Sequence, residues 1–322
     1  MTSPLGVTSR APSRPTSSRI RAEVPDRIRA EVPDVPRRVR PGDLWQLGPH
    51  RLLCGDCADP QQVRRLLPPG QAVDLLLTDP PYGVAYTGRV RAEGRARRGK
   101  GGQEARRRPH PPLAGDTLLP DALRHMLARA LALVPLRPGG PFYVFSPGGP
   151  TQLAFRLALQ DAGLPVRQEL VWVKNHFALG RADYHPRHEA LLYGWRPGAP
   201  HAFHGGRGQD TVWTVPNPRH RLPHPTVKPL ALLARAIGNS SREGDLVFDG
   251  FGGSGSTLLA CEQSRRVCRM MEISPEYCGL ILWRWERETG GAAGRMEVAP
   301  PSSRGRCNGR ESTGRPRRQA AA

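Results

Sequence analysis

LVFDGFGGSGSTLLA, residues 246–260, decides the fold of this 322-residue chain. Leu246, Val247 and Phe248 form a short apolar run of the kind that a parallel sheet buries on both faces. The run stops at Asp249. Phe251-Gly252-Gly253-Ser254-Gly255 follow, and then a helical pattern begins. Glycines let a backbone turn sharply and let a ligand approach it closely. The helix after the loop aims its N-terminus at the same place, which favours a carboxylate or a phosphate. The spacing is neither GxGxxG nor GxxxxGK[ST]; a plain dinucleotide fingerprint matches poorly, and a P-loop is excluded. The next strand ends at Glu272, where an acid suits ribose hydroxyls. Strand, loop, helix, strand and acid in this order point to an adenosine-containing cofactor.

Outward from this stretch, strand-like and helix-like segments alternate through residues 41–290. The spacing predicts strands at 51–54, 73–78, 142–146, 169–174, 189–194, 245–249 and 267–272. Helices are predicted at 120–135, 150–162, 228–240, 255–265 and 275–288. Such alternation specifies an α/β fold with a doubly wound, mostly parallel, seven-stranded Rossmann-like sheet.

A second stretch, LLLTDPPYGVAY at 75–86, leaves its apolar run through Asp79. Pro80 and Pro81 cannot donate ladder hydrogen bonds, so the strand stops there. Asp79 and Tyr82 are thereby held on a stiff turn at a strand's carboxyl end, where open α/β sheets bind ligands. Proline is common in turns, and an ordinary strand exit reads the same way. Yet Asp56, Asp79, Asp249 and Glu272 all end or follow apolar strands, which predicts one crevice collecting the four acids.

The formal net charge of +20 calls for a polyanionic partner, with nucleic acid foremost. Part of that charge lies in segments without apolar periodicity. Residues 1–40 are Arg/Pro-rich and contain RIRAEVPD twice, at 19–26 and 27–34; residues 291–322 are Gly-, Pro- and Arg-rich. Both are expected to be disordered tails. Residues 89–112 read as a long basic loop. No apolar run of about 18 residues and no secretory leader are present, so a cytoplasmic protein without a membrane partner is expected. Cys54-Gly-Asp-Cys57 has CxxC spacing, but no second CxxC completes a zinc ribbon, and ordinary reduced thiols are expected. His185-x-x-His188 and His201-x-x-His204 lack a further-ligand pattern, and no metal is expected.

Together these residues resemble the amino-group DNA methyltransferases, which act on adenine N6 or cytosine N4. Asp79-Pro80-Pro81-Tyr82 is similar to the family's catalytic tetrapeptide. Asp249-Gly250-Phe251-Gly252-Gly253-Ser254-Gly255 resembles its S-adenosyl-L-methionine loop, and Glu272 its ribose acid. His224-Pro225-Thr226-Val227-Lys228-Pro229 is similar to the segment before that loop in the circularly permuted, beta-type arrangement, in which the tetrapeptide comes first. The resemblance covers about 42–290. It implies a methyltransferase domain at 41–290 whose termini lie near each other, with cofactor contacts at Asp56, Thr226, Lys228, Asp249, Phe251, Gly253, Gly255 and Glu272. Phe251 is placed by it near the methionine end and Asp56 at the adenine end. Gly250 stands where the family usually has proline.

The resemblance and the chemistry agree on mechanism. An aromatic amino group is a poor nucleophile, because its lone pair is delocalised into the ring. Asp79 and the Pro80 carbonyl would accept its hydrogens, and Tyr82 would stack on a base flipped out of the duplex. The absence of a Pro-Cys dipeptide argues against cytosine C5 chemistry. Residues 176–223 are expected to form the target-recognition region, with Arg181, Arg187, Arg207, Arg219 and Arg221 for phosphates or guanine edges. The expected function is site-specific adenine-N6 methylation of double-stranded DNA by a bacterial or phage-encoded enzyme, with or without a cognate restriction endonuclease and in an oligomeric state left open. N4-cytosine methylation, a catalytically impaired DNA-binding relative, and action on RNA or protein are the alternatives.

Overall fold

The computed structural model describes residues 38–83, 117–177, 183–217 and 227–297. The basic segment 89–112 and nearly all of both tails lie outside the described residues. In chain order the elements are β1 (Leu44–Leu47), β2 (His50–Cys54), α1 (Pro60–Leu66), β3 (Leu75–Thr78), α2 (Pro120–Ala132), β4 (Pro141–Ser146), α3 (Thr151–Asp161) and β5 (Val166–Val173). Then come β6 (His188–Trp195), β7 (Val212–Thr214), α4 (Leu230–Ser240), β8 (Leu246–Asp249), α5 (Ser256–Gln263), β9 (Val267–Glu272), α6 (Pro275–Thr289) and β10 (Gly294–Met296).

All the strands form one sheet in the order β10-β1-β2-β9-β8-β3-β4-β6-β5-β7. Its centre, β2-β9-β8-β3-β4, is parallel throughout. The seven expected strands are all present. Three short ones are added: β1 and β10 at one edge and β7 at the other. Nothing in their sequence announces them. β7 is Val-Trp-Thr and β10 is Gly-Arg-Met, both too short for a period to show, and each is held by the neighbour it pairs with.

Alternation along each central strand fills two cores. Leu75 and Leu77 of β3 join Tyr143 and Phe145 of β4 beneath α4, α5 and α6. Leu76 joins Phe142 and Val144 beneath α1, α2 and α3. Helices therefore cover both faces, as a doubly wound sheet requires. Helix α1 escapes the periodicity because only Val63 and Leu66 are buried on it. Its signal is local: Asp59 accepts from the amides of Gln61 and Gln62, and Pro60 opens the helix. Likewise Ser274 caps α6 before Pro275, and Gly290 ends it at φ 71°.

The permuted order has the expected consequence. β1 and β10, the first and last strands, pair antiparallel with Leu44 opposite Met296. The ordered unit thus runs past the boundary expected at 290. It also begins before 41: Val39 is buried, and Arg38 reaches Glu286 at 2.7 Å while its guanidinium lies 5.3 Å over the Trp45 ring.

A chain of residues 38–297 should therefore melt several degrees above one of residues 41–290, since each kcal/mol is worth about 2–4 °C in a domain of this size. Thermal unfolding followed by circular dichroism checks it; coincident transitions would mean that β10 and the Arg38 contacts add nothing.

Candidate active site

Because β2, β9, β8, β3 and β4 run parallel, their carboxyl ends share one edge of the sheet. Asp249 ends β8 and Glu272 ends β9; Asp79 directly follows β3, and Asp56 lies two residues beyond β2. Hydrogen bonds tie the ends together. Thr78 Oγ1 donates to Asp249 Oδ1 at 2.7 Å, and the Gly55 amide donates to the Glu272 carbonyl at 2.9 Å. The four acids expected in one crevice do lie along one edge.

The glycine loop is built around two of these acids. The Asp249 carboxylate also accepts from the Phe251 amide at 3.0 Å. Glu272 accepts from the Gly253 amide at 2.7 Å through one oxygen and from the Ser274 amide at 2.8 Å through the other. Burial pushes Asp249 up to about 6 and Glu272 up to about 7, against the pull of these donors. Two glycines are required by geometry. At Gly252 a Cβ would sit 2.8 Å from the Met270 side chain. Gly255 has φ 81°, and a Cβ there would meet Ile281 at 3.0 Å. Gly255 is also the N-cap of α5, which no side chain caps. Arg284 of α6 holds the loop from behind by donating to the Ser254 carbonyl.

Beside the loop, Asp79 lies in a compact charge cluster. Its Oδ2 is 2.6 Å from Lys228 Nζ, and its Oδ1 accepts from the Tyr82 hydroxyl at 3.0 Å. Lys228 Nζ is also 3.1 Å from Glu189 Oε2, which lies 3.5 Å from the Tyr82 hydroxyl. Lys174, at the end of β5, pairs with the other oxygen of Glu189. The Tyr82 ring meets Phe155 edge-on at 6.0 Å; in the same turn Pro80 is buried and Pro81 half-buried. Burial pushes Asp79 up from the ordinary carboxylate range, and Lys228 opposes that shift. Burial works against Glu189 too, but Lys228 and Lys174 hold it down to about 2. For Lys228, burial is outweighed by the two carboxylates, which keep it an ammonium.

Lys228, expected among the cofactor contacts, is here the counter-ion of Asp79 and Glu189. Sequence reasoning missed Glu189 and Lys174. A carboxylate opening the otherwise apolar EALLYG, and a lysine closing ELVWVK, were the available signals. They were absorbed into strands, and antiparallel β6 brings its first residues, not its last, to this edge. Asp56 is exposed, its carboxylate accepting from the Ala58 amide at 2.8 Å. Thr226, Arg181, Arg219 and Arg221 lie outside the described residues. Arg187 is exposed next to β6 and donates to the Lys174 carbonyl. The turn that carries Arg207 packs on the carboxyl end of α4, where the His204 amide donates to the Asn239 carbonyl at 2.6 Å. That end faces the edge opposite Asp79, because α4 begins two residues after Lys228 and runs away from it. Cys54 and Cys57 are buried free thiols.

Comparison with known proteins places this geometry. Residues 73–282 match the family model for N6/N4 DNA methylases. The type II methyltransferase M.HpaI of Haemophilus parainfluenzae is 27% identical over 48% of this chain and 56% of its own length. The DNA adenine methyltransferase YhdJ of Escherichia coli is 36% identical over 30% of this chain and 34% of its own. The chain spans about half the length of the first curated relatives it matches. Among solved structures, the M1.HpyAVI–SAM complex superposes with a TM-score of 0.51 at 23% identity, covering 72% of this chain and 98% of that one.

Lys228→Met should strip the cation from two half-buried carboxylates and cost up to about 3 kcal/mol of stability. The deficit should shrink as the pH falls. Without Lys228 the carboxyl pKa values rise, so protonation relieves the folded state first. Urea unfolding at neutral and acidic pH measures both.

Proposed function

The chain belongs to the N6/N4 DNA methylase family, and on that premise we propose that it methylates the N6 amino group of adenine in double-stranded DNA, using S-adenosyl-L-methionine. The observation that carries this reading is the shared edge. A tetrapeptide acid and a glycine loop flanked by acids lie side by side, joined by the bond from Thr78 to Asp249. M1.HpyAVI, of the same fold, was crystallised with SAM. A matched relative is a DNA adenine methyltransferase, and the acid at the first position of the tetrapeptide leans the same way.

The residues fit the cofactor. Glu272 has lone pairs left on both oxygens for ribose hydroxyls, and the amide end of α5 favours a carboxylate. Asp56 is the adenine-side contact, Phe251 packs by the methionine end, and Gly253 and Gly255 keep the loop low. Bound there, S-adenosyl-L-methionine supplies an activated methyl group.

Asp79 acts on the target base. Its carboxylate accepts one amino hydrogen and the Pro80 carbonyl the other. The nitrogen lone pair is thereby turned out of conjugation and aimed at the incoming methyl group. Lys228 keeps Asp79 ionised although buried, because protonation would sacrifice the 2.6 Å ion pair. Tyr82 stacks on the flipped base. Arg187 lies on this edge to meet phosphate.

The test pairs calorimetric cofactor binding with tritiated methyl transfer to duplex DNA, followed by mass spectrometry of the digested product. N6-methyladenine is the expected product; N4-methylcytosine would retain the family and overturn the adenine assignment. Asp79→Ala should abolish transfer while S-adenosyl-L-methionine still binds, and Asp79→Asn should lose roughly a hundredfold or more in turnover. Glu272→Ala should weaken cofactor binding first. Near-normal transfer by Asp79→Ala would sink the mechanism.

A further inference from the structure

Among the described residues, each oxygen of Asp79 already accepts one donor. One oxygen is paired with Lys228 and the other accepts from Tyr82. An amino group bound at Asp79 competes with both donors for the carboxylate, and an ammonium and a half-buried hydroxyl that are weakened there need another acceptor. Glu189 is already within reach of both: its Oε2 lies 3.1 Å from Lys228 Nζ and 3.5 Å from the Tyr82 hydroxyl. It comes from β6, in the other half of the sheet, and is anchored independently by Lys174 on its second oxygen.

We propose that Glu189 is a positioning residue, the alternative acceptor that takes over Tyr82 and most of Lys228 when the target amino group claims Asp79. This rests on the reading of Asp79 as the residue that binds the amino group. The exchange conserves hydrogen bonds and charge. Two carboxylates, Asp79 and Glu189, face two ammonium groups, Lys228 and Lys174, before and after. Lys174 lies 5.0 Å over the Trp172 ring, which fixes the outer end of the chain of charges. Tyr82 pivots about its hydroxyl from one acid to the other, and its ring moves off the edge-on contact with Phe155 toward the base.

The arrangement makes opposite predictions for two variants. Among the described residues, the groups facing Asp79 are Lys228 from before α4, Tyr82 from its own turn, Glu189 from β6 and Asp249 from the end of β8, with Lys174, just past β5, behind Glu189. Glu189→Gln removes a negative neighbour and leaves Lys228 wholly to Asp79. The acid becomes easier to ionise but harder to free. Turnover should fall roughly tenfold or more, while the acid limb of kcat/KM moves to lower pH. Lys174→Met leaves Glu189 to draw harder on Lys228, so Asp79 is ionised less readily and the acid limb moves to higher pH. Glu189→Asp, which keeps the charge, should recover part of the turnover lost in Glu189→Gln.

The experiment measures pH profiles of methyl transfer for the wild type, Glu189→Gln, Glu189→Asp and Lys174→Met. Calorimetric S-adenosyl-L-methionine binding and thermal melting accompany each. Cofactor affinity should stay within about twofold of wild type, since Glu189 touches none of the glycine loop. Turnover of Glu189→Gln near wild type overturns the proposal, and so does lost turnover with an unshifted acid limb, the mark of a merely structural residue. Should Glu189→Gln not fold, the Lys174→Met limb decides: a shift to higher pH supports the exchange, and no shift overturns it. Asp79→Ala is run alongside. If it is active, the reading of Asp79 fails; if it is inactive while Glu189→Gln is normal, only the role of Glu189 fails.

Discussion

A single hydrogen bond, from Thr78 to Asp249 at 2.7 Å, joins segments 171 residues apart in sequence. It exists because β3 and β8 are parallel neighbours in fixed register, Leu75 beside Val247 and Leu76 beside Phe248. A slip of one residue would turn every β3 side chain to the other face and exchange the two cores. The apolar alternation that fills those cores therefore also sets where the two acid-bearing turns stand. Packing fixes register, register fixes the edge, and the edge collects the chemistry.

At that edge the controlling constraint is charge balance. Isolated buried ions are costly, and removing one member of a buried pair costs more than the pair ever contributes. The cluster answers with two acids and two ammonium groups drawn from four separate elements: the turn after β3, the start of β6, the end of β5 and the lead into α4. Only a sheet that mixes parallel and antiparallel strands delivers both the end of β5 and the start of β6 to one place. The antiparallel half is thus part of the candidate site and not an appendage to a parallel nucleotide-binding sheet.

This explains which parts could be read from the chain. The seven central strands and five longer helices carry enough residues for a period to show, and the turns at Asp79 and Asp249 carry local chemistry in their prolines and glycines. Edge strands β7 and β10 carry neither, and α1 announces itself only through Asp59 and Pro60. Glu189 and Lys174 were hidden for another reason. Each terminates a good strand pattern, and their meaning depends on strand direction, which hydrophobic period does not encode. The place of Arg207 was hidden in the same way: composition marked it for an anion, and the course of α4 sets its turn at the opposite edge. Lys228 was found by its motif, but its pairing with Asp79 was not, because adjacency in sequence to a cofactor segment says nothing about which way a long side chain reaches.

The two glutamates at this edge show how environment divides one residue type into two roles. Glu189 is flanked by ammonium groups and held down to about 2, so it is a permanent anion that can accept but not donate. Glu272 is surrounded by backbone amides and apolar strand, with no cation against it among the described residues, and burial lifts it to about 7. Amide donors alone do not compensate that burial, and any further donor reaching its carboxylate stabilises the charged form. A pair of ribose hydroxyls is such a donor set. Glu272 is thus a carboxylate that burial lifts and further donors would favour in its charged form, whereas Glu189 already has its cations in place. The edge sets a carboxylate lifted by burial beside one held down by two ammonium groups. A reaction whose target amino group must be held by an anion requires the second kind beside Asp79.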